Sequence, residues 1–189
     1  MRRIIIAVAL VMLLFAVALS AQTPAPTPGP EHKRLHVYNG VWTYKGETKE
    51  TPLGPADQFT GKVTIRMILD GFFQENLFEE KHPSGPFHSI LITAYDPVNK
   101  KYTANTYGSD GSMSIGTVTF DGIVWDFSGT LFAGSRQYKM RGKDVLSKDL
   151  MSITSALELS PDGSTWTPWV AVNYMRVKAS PKKQALSVN

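Results

Sequence analysis

The sequence predicts an all-β fold: an up-and-down antiparallel barrel of about ten strands, preceded by a short N-terminal helix. Three observations predict it. Residues Phe59 to Leu69 alternate apolar with mostly polar side chains, the period of a strand wet on one face. Turn signals recur beyond it at intervals of roughly 11 to 15 residues, one strand and one short turn per interval. No window between them carries the apolar stripe of an amphipathic helix. A meander of this kind leaves two unpaired edge strands, and closure into a barrel removes both. A two-sheet sandwich competes, but it needs Greek-key crossovers for which connections this short leave little room.

From the N-terminus, Arg2 and Arg3 precede an uninterrupted apolar run from Ile4 to Leu19, followed by the small residues Ser20 and Ala21. That charge step marks residues 1–21 as a secretory signal peptide, cleaved after Ser20 or Ala21. The run is shorter than the ~20 residues a spanning helix needs, so the expectation is a secreted or periplasmic protein with no stable membrane insertion after cleavage. An uncleaved anchor is the alternative use of the same run. Residues 22–30 (QTPAPTPGP) alternate Pro with small residues and read as an extended linker. The folded domain is expected over residues 31–178, with a flexible tail at 179–189. Glu31 to Tyr38 spaces Leu35 among charged residues as in one or two helical turns, with Asn39-Gly40 as the stop, a short lid or plug.

Gly40-Val41-Trp42 opens the first strand, which Pro52, Gly54 and Pro55 end. In the following strand Asp70-Gly71 predicts a tight two-residue hairpin turn, since both residues tolerate positive φ. The chain then returns through Phe72 to Glu80. Later turns fall at Pro83–Pro86, Asp96–Asn99, Ser109–Gly111, Asp121-Gly122, Ala133-Gly134, Ser147–Asp149 and Pro161–Gly163, and the segments between them are rich in β-branched and aromatic residues. Phe72 to Glu80 and Phe87 to Asp96 carry large apolar residues on both parities. Part of each is therefore expected to be covered from outside, by the N-terminal helix or by a second copy in a homodimer.

Composition excludes several classes. The absence of cysteine removes disulfides, thiol catalysis, thiolate metal sites and a lipid-anchored N-terminus. The formal charge of +4 falls to +2 once Arg2 and Arg3 are removed, too little to argue for nucleic acid. Neither a G-x-S-x-G elbow nor a metal-protease helix is present, and Glu79-Glu80 point to opposite faces of a strand. The sequence thus specifies no reaction and no catalytic residue. His32 and His36 have the spacing of a two-ligand metal grip, but no third ligand follows, so they read as surface histidines. His82 and His88 flank a Pro-Gly turn and read as a solvated pair.

What remains is the barrel interior, because a barrel of this strand number encloses room for one small ligand. Ile123, Trp125 and Phe127 alternate against Val124, Asp126 and Ser128, while Tyr138 and Met140 alternate against Gln137, Lys139 and Arg141. With Met67 and Met113, the residues Trp125, Phe127, Tyr138 and Met140 are the cavity candidates, aromatic and flexible side chains suited to a small apolar ligand with a polar end. A structural or interaction barrel with its core filled by its own side chains is the alternative, and an uncharacterised enzyme is a further one.

Gly40-x-Trp42, Thr64 to Phe73 (TIRMILDGFF), Ala94 to Tyr102 (AYDPVNKKY), Ser109-Asp110-Gly111 and Tyr174-Met175-Arg176 occur in that order. Their order and spacing resemble the bacterial domain of unknown function 1579 family, which is lipocalin-like, from about Leu35 to Val177. The resemblance implies a calycin-type barrel in which Trp42 on the first strand packs beneath Arg176 from the last, closing the floor by a cation–π contact. It implies no agreed activity. The nitrobindin branch of ten-stranded barrels takes haem through a late histidine, and this chain has none after His88, so no cofactor and no metal are expected.

Overall fold

The structure is a computed structural model and describes residues 25–178. The predicted signal peptide, the first residues of the linker and the tail at 179–189 lie outside the described residues. Ten strands follow one short helix: α1 (Pro30–Arg34), β1 (Gly40–Thr48), β2 (Asp57–Ile68), β3 (Phe73–His82), β4 (Gly85–Asp96), β5 (Lys101–Gly108), β6 (Met113–Phe120), β7 (Val124–Ala133), β8 (Arg136–Leu146), β9 (Ser152–Ser160) and β10 (Thr167–Arg176). Each strand pairs with its sequence neighbours, and β1 pairs with β10 from Trp42↔Arg176 to Thr48↔Val170, closing the barrel. No strand of the barrel is left with an unpaired edge, which is what favours closure over an open meander.

Alternation assigns the two faces. On β2, Phe59, Val63 and Ile65 are buried while Thr60, Lys62 and Arg66 line the outside. Lys62 and Arg66 meet Glu79 and Glu75 of β3 there, at 3.0 and 2.7 Å. Two details of this hairpin differ from expectation. Ile68 pairs with Phe73, so four residues, Leu69 to Phe72, make the turn in place of Asp70-Gly71 alone. Leu69, Asp70 and Gly71 all take positive φ (48°, 56° and 89°), and Leu69 ends 67% exposed, outside the inward series its parity suggested. The wider turn lets Phe72 N–H donate to the Leu69 carbonyl, and it leaves room for Phe72 to meet the ring of His32 edge-on at 5.3 Å.

The segment before β1 closes one end of the barrel. Pro30 opens α1 at a position where its missing N–H costs nothing, so the proline-rich linker ends one residue sooner than its composition implied. The Gly29 N–H donates to His32 Nδ1 at 3.1 Å. His32 is therefore a helix-capping residue wedged between Phe72 and Tyr95, not a free surface histidine. A 3-10 turn over Leu35–Tyr38 then drops Leu35 and Tyr38 into the core, with Leu35 fully buried. The helix is a plug in the floor, not a cover for the outer wall of β3 and β4. Outward residues of β3 to β7 form a register row, Leu77, Ile90, Tyr107, Met113 and Phe132, in which Leu77 and Phe132 are half-buried while Ile90 (42%) and Tyr107 (50%) are exposed.

Trp42 anchors the plug. Its side chain is fully buried, its indole N–H donates to the Tyr38 carbonyl at 2.9 Å, and the Arg176 guanidinium lies 4.0 Å above its ring. Arg176 also donates to the carbonyls of Val37 and Asn39, both at 2.6 Å, and to that of Leu150 at 2.8 Å. One side chain thus ties the plug, the β8–β9 turn and the last strand to the indole face. Gly40 has to be glycine beside it. Its φ of +131° suits no other residue, and a Cβ there would lie 3.1 Å from Arg176 Nη1.

Candidate functional site

With the floor plugged, the opposite end stays open between the β3–β4, β5–β6 and β7–β8 turns and the β1–β2 loop. A cavity of about 670 Å³ descends from that mouth into the barrel. Its upper wall is Leu53, Phe59, Phe87, Met113, Ala133 and Trp169. Its lower wall is Phe78, Leu91, Trp125, Phe127, Met140 and Leu157. Leu53 reaches the mouth because the β1–β2 loop folds back on itself through a Thr51–Gly54 bridge, and Arg136 Nη1 holds the Pro52 carbonyl at 2.8 Å.

Of the residues singled out in the sequence, Trp125, Phe127 and Met140 face the cavity from β7 and β8. Met113 touches only its rim. It sits on the outward parity of β6 beside exposed Ile115 and is itself 36% exposed. Tyr138 is buried in the core but is not part of the cavity wall, and Met67 packs one register pair from the β2–β3 turn, near the plugged floor and away from the cavity. Ile123 precedes β7 in a turn and is 48% exposed, so the inward series begins at Trp125.

The ionisable lining is the part that sequence reasoning missed. Among the described residues Glu80, His82, Asp110 and Asp144 line the cavity, and no lysine or arginine does. Near the mouth, the Tyr44 hydroxyl donates to Glu80 Oε1 at 3.0 Å. The His82 imidazole bridges Glu80 Oε2 at 2.9 Å and Asp57 Oδ2 at 3.1 Å, and stacks on Phe59 at 4.8 Å. His82 therefore points inward while His88, paired with Glu79, points out, and the two form no pair. Burial alone would depress the His82 imidazole, but the hydrogen bonds and charges of Glu80 and Asp57 raise it above its ordinary value. The charge of Glu80 is thereby partly matched within the protein.

Asp144 is different. It lies deeper, between Trp125 of β7 and Ser155 of β9, which flank it in register. Burial pushes its carboxyl up to about 6, and only the neighbouring Ser155 hydroxyl opposes that. Below it a smaller chamber of about 70 Å³ reaches to the plug, and Asp144, Trp125, Tyr174, Phe78 and Leu91 line both spaces. Tyr38 and Asn76 line the lower chamber, and among the described residues neither the Tyr38 hydroxyl nor Asn76 Oδ1 has a hydrogen-bond partner. The phenols of Tyr38 and Tyr174 titrate well above their ordinary range, chiefly through burial and then through the charge of Asp144. Among the described residues no cluster of three metal-ligating side chains occurs, and no helix is long and apolar enough to cross a membrane.

The family model described as Protein of unknown function (DUF1579) matches residues 27–176, and the chain belongs to that family. Among solved structures, the barrel is similar to that of Rv2717c from M. tuberculosis, at 12% identity and a TM-score of 0.58, over 79% of this chain and 99% of that one. It also matches the S-type phycobiliprotein lyase CPES from Guillardia theta at 10% identity and a TM-score of 0.49, over 81% of this chain and 100% of that one. The first likeness supports the fold. A comparison with curated proteins gives no match.

Proposed function

We propose that this protein is an exported carrier or receptor that binds one small, largely apolar molecule inside its barrel. The observation that supports the reading is the cavity itself: about 670 Å³, open at one end, walled by aromatic and aliphatic side chains and carrying a few polar groups. Ligand pockets ordinarily fall between about 300 and 1,000 Å³ and have this mixture of walls. A barrel selected only for stability gains from filling such space, because each unfilled volume forfeits dispersion contacts. Export rests on the Arg2-Arg3 step and the Ile4 to Leu19 run.

Native mass spectrometry of the protein recovered from its own host tests both parts together. The expected species starts at Ala21 or Gln22 and carries an adduct of a few hundred daltons that organic extraction removes. A protein retaining Met1 would replace secretion by tethering, and a ligand-free mass from the host would count against a resident ligand.

A further inference from the structure

The geometry points to a ligand with a primary amine at one end, its ammonium group seated at Asp144 and its apolar body extending up the main cavity. The inference rests on the ligand-binding reading above and names the class of molecule. Its first support is the sign of the interior. Among the described residues the charged lining consists of Glu80, Asp110, Asp144 and His82, and no lysine or arginine enters the cavity. Glu80 is engaged by Tyr44 and His82, and Asp110 is bound by Ser112 at the exposed rim. Asp144 alone sits deep without a cationic partner. A carboxylate so placed repels a fatty acid and attracts a cation strongly, because a low-dielectric wall magnifies both interactions.

The second support is the lower chamber. Acceptor-bearing side chains of Asp144, Asn76, Tyr38, Gln74 and Tyr174 border it, and among the described residues Asn76 Oδ1 and the Tyr38 hydroxyl have no partner although both residues are more than nine-tenths buried. Buried polar atoms are rarely left without partners unless something else supplies them. An ammonium group offers three donors and one positive charge. A chamber of about 70 Å³ has room for a group of that size. Trp125, which lines both spaces, would flank the head group with a ring face suited to a cation.

The test compares three probes with one tail, decylamine, decanol and decanoate, each below its micelle concentration at pH 7.5. Quenching of tryptophan fluorescence reads binding, since Trp125 and Trp169 line the cavity. Decylamine should bind at least about tenfold tighter than decanol and tighter still than decanoate. Asp144→Asn should cut the preference for decylamine over decanol by about tenfold or more, with circular dichroism confirming that the variant barrel is folded. Equal affinities, a preference for decanoate, or an amine preference that survives in Asp144→Asn would overturn the inference and leave the ligand-binding reading in place. Failure of all three probes to bind would overturn both.

Discussion

Replacing Trp42 with alanine is expected to lower folding stability by about 3 to 5 kcal/mol, the largest loss of any single core truncation in this barrel. The indole is fully buried, and its loss leaves a void under the plug. It also takes away the donor that meets the Tyr38 carbonyl and the ring face on which Arg176 rests. Arg176 would keep its carbonyl partners but lose the surface that orients it. The check is equilibrium denaturation by urea. A loss below 1 kcal/mol would mean that the plug, and not the indole, carries the floor.

Asp144→Asn is expected to move stability in the opposite direction. The carboxyl of Asp144 titrates at about 6 in the folded protein against an ordinary value of 3.8. The folded state therefore holds this proton more tightly than the unfolded chain does. Stability attributable to Asp144 falls as pH rises from about 4 to about 6, and the deficit is complete above that window. Near pH 7 the ionised group should cost about 1 to 3 kcal/mol, with water in the cavity screening part of it. The asparagine variant should thus be more stable than the native protein at pH 7, with the difference nearly gone at pH 4. A variant no more stable at pH 7, or a difference independent of pH, would show that the carboxylate is already compensated.

Much of this architecture is legible from residues alone because strand alternation and turn chemistry are local signals. The β7 series Trp125 and Phe127 reads inward because the alternating Asp126 and Ser128 are polar, and the structure places both aromatic residues on the cavity wall. The plug helix is legible from Leu35 among charges and from the Asn39-Gly40 stop. The site's polar part was harder. On β8 the same alternation that puts Tyr138 and Met140 inside continues through Gly142 to Asp144. The signal was present, but an aspartate at an inward position contradicts the usual apolar pattern and is easily assigned to the turn beyond. On β3 the inward residues are Gln74, Asn76, Phe78, Glu80 and His82, while Phe73 and Leu77 face out. That polarity is inverted, so hydrophobic periodicity could not show which face was inside. The contacts of His82 with Asp57 and of Arg176 with Val37 join residues far apart in the chain, and no local pattern encodes them.

The central claim is that the barrel is open and binds in its interior. Leu157 and Val170 are register partners on β9 and β10, both half-buried and both on the cavity wall. Replacing both with tryptophan would put two indoles into the open space without disturbing the floor. The most direct measurement is a fluorescence titration with the neutral dye N-phenyl-1-naphthylamine, using the native protein and this double variant, with circular dichroism to confirm that both are folded. The native protein should give saturable one-to-one binding, and the folded double variant should bind at least about tenfold more weakly. Absence of saturable binding to the native barrel, or equal binding by the folded variant, would contradict the claim.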